Sequence, residues 1–151
     1  MITGEQIRSP VVFGTNGNYM IDLFEIVFDG GSKGNPGKGY GSFEINRNGE
    51  LFDRQIEMPF GDNLTNNQAE YMALIRGLKA VIENPQIDAL KSEIVIRGDS
   101  QLVIKQLNGE WKVKNANMQP LWAEARGLLT EVGKWQAVWH DRSNSVKILG
   151  H

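Results

Sequence analysis

Phe28-Asp29-Gly30-Gly31-Ser32-Lys33-Gly34-Asn35-Pro36-Gly37 follows directly on the run Leu23-Phe24-Glu25-Ile26-Val27, and the passage from one to the other sets the architecture. The apolar run is aromatic and β-branched enough to read as a strand. The Gly/Asn/Pro cluster over 30–39 is expected to end that strand just past Asp29. A second strand is expected over about 40–46, and Asn48-Gly49 is a two-residue hairpin signal that leads into a third at about 51–58. The chain therefore opens as an antiparallel three-stranded meander.

The texture changes at Thr65. Tyr71, Leu74, Ile75, Leu78, Val81 and Ile82 recur at helical spacing, and Asn84-Pro85 stops the element. Ile94-Val95-Ile96 is a short continuous apolar run, as expected of a strand buried on both faces. Helix follows over about 100–107 and again over about 117–132, ended by Gly133. A last strand is expected at 135–140 and one or two turns of helix at 144–150. The order β-β-β-α-β-α-α-β-α is that of an α/β protein: a mixed five-stranded sheet, three antiparallel strands and then two parallel, flanked by helices. Residues 1–21 read as a short extension, with a little strand at Val11-Val12-Phe13, and 22–151 as one domain.

The bulk numbers narrow the classes. With 151 residues the chain suffices for one core that buries roughly two-thirds of the unfolded surface. A net charge of −2 offers no whole-molecule attraction to nucleic acid, so such a partner requires a local basic face. Zero cysteines exclude disulfides and thiolate metal sites and fit a reducing cytoplasm. The start, Met1-Ile2-Thr3-Gly4-Glu5-Gln6-Ile7-Arg8, lacks the pattern of a secretory signal, and no apolar run approaches a membrane span.

Three carboxylates stand where strands or turns give way to helices, each among amides, hydroxyls and glycines. They are Asp29 in the opening segment, Glu70 in Thr65-Asn66-Asn67-Gln68-Ala69-Glu70, and Asp99 in Gly98-Asp99-Ser100-Gln101. A right-handed crossover through the first helix sets the strands before Asp29 and Asp99 parallel and adjacent. Both acids then emerge at the carboxyl edge of the sheet, where ligands of open α/β folds bind. Glu70, one turn past Asn66, can face the same edge. Taken singly, each has an ordinary alternative: a turn or helix cap for the aspartates, a dipole partner on a solvated helix face for the glutamate. Together they form a like-charge cluster that a divalent cation makes tolerable. Oxygen-only ligands favour Mg²⁺ or Mn²⁺, and a pair of such ions suits phosphodiester hydrolysis.

The segments around Asp29, Glu70 and Asp99, in this order, closely resemble type 1 ribonuclease H over residues 22–140, in the short form without a basic protrusion. The resemblance implies cleavage of the RNA strand of RNA–DNA hybrids with two metal ions, leaving 5′-phosphate and 3′-hydroxyl ends. It also implies that Asp29, Glu70 and Asp99 hold the metals. Gly30, Ser32 and Asn35 match positions that meet the RNA strand, where 2′-hydroxyls distinguish RNA from DNA. Asn66, Asn67 and Gln101 match amides that reach the minor groove, and Thr65 with Asn67 matches part of a phosphate pocket. Thr65-Asn66-Asn67 is also a plain helix N-cap signal, and both roles are compatible. Trp111, Lys112 and Lys114, in a stretch with three lysines against Glu110, are expected along the DNA backbone. Trp122, Trp135 and Trp139 are expected in the core or sheet. The implied partner is the hybrid, with no protein partner or membrane, for a cytoplasmic monomer that removes primers and hybrids.

The tail departs from the family pattern. A fourth carboxylate is expected in the C-terminal helix, yet no Asp or Glu follows Asp141. Asn144 is the first candidate for its place, as an uncharged oxygen ligand, and Asp141 the second. His140 either ends the last strand or serves as the mobile histidine that helps product leave. A hybrid-binding module with weakened catalysis is therefore the main rival. A nucleotide-binding loop fits poorly: a P-loop needs glycine where Ser32 stands and Ser or Thr where Gly39 follows Lys38.

Overall fold

The computed structural model of the chain describes residues 21–150. The expected N-terminal extension, apart from Ile21, and its strand at 11–13 lie outside them. Five strands form one sheet in the order β3-β2-β1-β4-β5. They are β1 (Asp22–Lys33), β2 (Gly37–Arg47), β3 (Glu50–Leu64), β4 (Ser92–Gly98) and β5 (Lys134–Trp139). The first three are antiparallel neighbours, and β4 and β5 join β1 in parallel, as the sequence leads one to expect.

The helices are α1 (Asn66–Ile82), α2 (Gln101–Leu107), α3 (Gln119–Leu129) and α4 (Arg142–Leu149). A short 3₁₀ turn at Ala89–Lys91, not anticipated, precedes β4. Helix α1 starts on a capping box: the Thr65 hydroxyl accepts from the Gln68 N–H, and the Gln68 side chain accepts from the Thr65 N–H.

Two strands outrun their expected ends. β1 continues four residues past Asp29 because Gly30 and Gly31 pair with Gly41 and Tyr40, confining the turn to 34–36. Glycines read as strand breakers thus extend a hairpin. β3 runs to Leu64 through Pro59 and Gly61, with register shifts against β2. It is an edge strand, where a missing N–H costs no ladder bond. The tight turn at Asn48-Gly49 has positive φ at both residues (52° and 87°), the type I′ geometry that the pair predicts.

Side chains alternate across β1. Phe24, Ile26 and Phe28 join Tyr71, Leu74, Leu78, Ile94, Ile96, Leu107 and Leu129 in the core beneath α1, α2 and α3. Leu23, Val27 and Val95 are buried outside that cluster, and Leu149 of α4, which crosses β1 and β2, is buried with them. Truncating a fully buried leucine such as Leu74 to Ala is expected to cost about 2–5 kcal/mol.

Candidate active site

Strand register, more than any local motif, assembles the site. The last parallel pair between β1 and β4 is Val27 with Arg97, so Asp29 and Asp99 each stand two residues beyond it. Neighbouring strands lie about 4.8 Å apart, which leaves the two acids side by side at the carboxyl edge. Helix α1 brings in Glu70, whose Oε1 accepts from the Gly30 N–H at 3.1 Å. One carboxylate oxygen from each of Asp29, Glu70 and Asp99 lies within 4.8 Å of the other two. Asp29 ends no strand, contrary to the sequence reading; it sits within β1 opposite Ser42.

The close approach of β1 and α1 needs a glycine. A Cβ on Gly30 would stand 2.4 Å from the backbone of Ala69 and 2.6 Å from the Glu70 nitrogen. Burial pushes the Glu70 carboxyl well above the usual carboxylate range, and the charges of Asp29 and Asp99 add to it, while the Gly30 N–H works the other way. Its Oε2 is buried and meets no hydrogen-bond donor among the described residues. Three acids, all oxygen donors, with a buried oxygen to spare, fit a hard divalent cation of the Mg²⁺ or Mn²⁺ kind.

The polar residues around the acids bind one another. Asn66 Oδ1 accepts from the Ser32 N–H at 2.9 Å and from its hydroxyl at 3.2 Å. The Asn66 N–H donates to Asn35 Oδ1 at 3.0 Å. The turn at 34–36 is thereby fastened to the start of α1. Asn67 and Gln101, each in the first turn of its helix, are exposed, and the Thr65 side chain is engaged in capping. Trp111, Lys112 and Lys114 lie on the segment between α2 and α3. There Trp111 is 45% exposed and lines a groove of about 530 Å³ with Lys112, Gln106 and Trp122. Lys105 stacks over the Trp111 ring.

Trp122 and Trp135 pack against the core as expected. Trp139 is a sheet residue, the last of β5 and paired with Gly98; its side chain is exposed, and its indole N–H donates to the Asp99 carbonyl at 3.1 Å.

The tail places its candidates differently from one another. Asp141 is the N-cap of α4, its carboxylate accepting from the Ser143 N–H at 2.7 Å; the Ser143 hydrogen bonds hold it below its usual range. Asn144 is exposed, and its backbone N–H donates to the Asp141 carbonyl at 3.0 Å. His140 follows β5, donates its N–H to the Gly98 carbonyl, and places Nε2 2.9 Å from the Ser145 hydroxyl. Burial lowers its pKa. The residue that does reach the acids is one the sequence reading passed over. Arg142 Nη1 lies 3.0 Å from Asp99 Oδ2 and 3.7 Å from Asp29 Oδ2. The available signal was a cation opening the very helix that lacks its expected acid.

The reverse transcriptase-like family matches residues 28–147. Ribonuclease HI of Halobacterium salinarum is 40% identical over 111 residues, 72% of this chain and 51% of that protein. The crystal structure of RNase H1 from the same archaeon superposes with a TM-score of 0.71 at 35% identity, covering 81% of this chain and 88% of that one. LC11-RNase H1 in complex with an RNA/DNA hybrid gives a TM-score of 0.70 at 27% identity, covering 82% and 89%. The chain spans between about a third and a half of the length of the first curated relatives it matches. Among the described residues no helix is long and apolar enough to cross a membrane.

Proposed function

The chain belongs to the type 1 ribonuclease H family, and from that premise we propose that it is an endonuclease hydrolysing the RNA strand of RNA–DNA hybrids. The products in this reading carry 5′-phosphate and 3′-hydroxyl ends. The observation that carries it is the meeting of Asp29, Glu70 and Asp99 within 4.8 Å at the sheet edge. A protein that only bound hybrids would have no reason to concentrate negative charge where phosphates dock.

Asp29, Glu70 and Asp99 would hold two Mg²⁺ or Mn²⁺ ions, with Asn144 completing the set. When bound, such ions supply a more acidic water and charge stabilisation at the leaving oxygen. The chain's own groups do the rest. Glu70, fastened by the Gly30 N–H, presents its second oxygen to the site. Ser32, Asn35 and Asn66, already locked together, form a preorganised polar ledge for the RNA strand, and Gly30 keeps that ledge close to the acids. Asn67 and Gln101 add exposed amides for the minor groove, and Thr65 with Asn67 a phosphate contact at the start of α1. Trp111, Lys112 and Lys114 would track the DNA strand, the lysines giving salt-dependent affinity. We take the protein to act as a monomer in the cytoplasm, without a protein partner.

A second reading has a specific observation behind it. Helix α4 contains no acid, and Arg142 opens it. A fold of this kind with a cation at its fourth position would bind hybrids and cleave them slowly. One experiment separates the two: incubation with end-labelled RNA–DNA hybrid, duplex RNA and duplex DNA in Mg²⁺ and in Mn²⁺. Cleavage of the hybrid alone supports the endonuclease; hybrid binding without cleavage in either metal supports the binding module.

A further inference from the structure

Arg142 is the one cation among the described residues paired with the acid cluster, and it is held there by its side chain alone. Its partners are almost fully buried: the side chains of Asp29 and Asp99 are 3% and 9% exposed, whereas that of Arg142 is 64% exposed. Opening the pair returns the guanidinium to water, and the buried carboxylates it leaves are compensated by the incoming cation. The helix beneath it is anchored independently. Asp141 caps its first turn, Ser145 meets His140, and Arg54 donates to the Ile148 carbonyl at 2.8 Å while also pairing with Glu44. Displacing the guanidinium therefore takes rotamer changes and no movement of α4. A divalent cation on the Asp29 and Asp99 oxygens would meet the guanidinium at close range, and the repulsion between the two positive charges disfavours their occupying the cluster together.

We propose that Arg142 is a movable internal counter-ion of the carboxylate cluster, neutralising Asp99 and Asp29 until a divalent cation displaces it. The negative charge of Asp29, with that of Asp99, holds the guanidinium pKa above its ordinary value, so the competitor is charged at every working pH. The consequence is an apparent cation affinity below that of the bare acids, scaled down by the fraction of molecules in which the guanidinium has left them. The inference rests on the reading of Asp29, Glu70 and Asp99 as a divalent-cation site.

The test is Mn²⁺ binding by calorimetry to the wild-type chain, Arg142→Gln and Arg142→Lys, with melting temperatures in chelator. Arg142→Gln is expected to bind Mn²⁺ roughly two- to fivefold more tightly, the range for a competing guanidinium that stays largely in water. It should also melt at a lower temperature in chelator, while Arg142→Lys stays nearer wild type in both. Equal or weaker Mn²⁺ binding by Arg142→Gln overturns the counter-ion role and leaves the metal site intact. No Mn²⁺ binding by any of the three overturns both.

Discussion

The backbone N–H of Gly30 donates to Oε1 of Glu70 at 3.1 Å, tying the strand that carries Asp29 to the helix that carries Glu70 at the next residue along. The bond explains why a glycine follows the first acid. Any Cβ at position 30 would lie inside the contact radius of the Ala69 carbonyl and the Glu70 nitrogen.

Gly30→Ala must therefore push α1 away from β1. Such overpacking against backbone is expected to cost about 1–3 kcal/mol and to reduce hybrid cleavage in parallel. Urea denaturation measures the first; a variant as stable as wild type would show that the two elements separate without loss.

The raised Glu70 pKa sets the sign of a pH dependence. In the window from 4.5, the ordinary value, up to the elevated folded value, the folded protein holds a proton that the unfolded chain has released. Stability without divalent cations then falls as pH rises through that window. Glu70→Gln, which keeps a neutral side chain, should remove the slope. Melting curves across pH in chelator check it, and an unchanged slope in the variant would assign the dependence to another group.

The fourth position is open to direct repair. Asn144→Asp should raise the Mg²⁺-supported cleavage rate by roughly tenfold, on the scale by which ligand changes tune metal sites. No change would remove Asn144 from the site. Asp141→Asn should leave the rate close to wild type and slightly loosen the first turn of α4, since the amide still caps but the charge is lost.

Lys112 and Lys114 are expected to act through backbone phosphates. Replacing both by Ala should weaken hybrid binding and reduce the slope of log affinity against log salt by about one to two, roughly one for each phosphate no longer neutralised. An unchanged slope would place the hybrid elsewhere on the surface.

The acids were legible because each is bracketed by local chemistry: glycines that allow close approach, a cap that starts α1, an apolar run that becomes β4. Those signals fix where Asp29, Glu70 and Asp99 stand along the chain, and parallel register then brings them together. The strand ends were less legible, because Gly30-Gly31 and Pro59 break strands only where no partner or solvent edge accommodates them. Arg142 was illegible for a different reason. Its role comes from a contact with Asp99 across 43 residues, which a cation at the start of α4 hints at without naming the partner. Trp139 reads as a sheet residue and is one, while its exposure carries no signal in the sequence.

The most direct test of the account compares the wild-type chain with Asp29→Asn on one end-labelled RNA–DNA hybrid, measuring turnover and hybrid affinity separately. A cation site at the acids predicts that the variant loses turnover by about a thousandfold or more and keeps its affinity within a few-fold. Cleavage at an undiminished rate by Asp29→Asn would contradict the claim that Asp29, Glu70 and Asp99 form the active site.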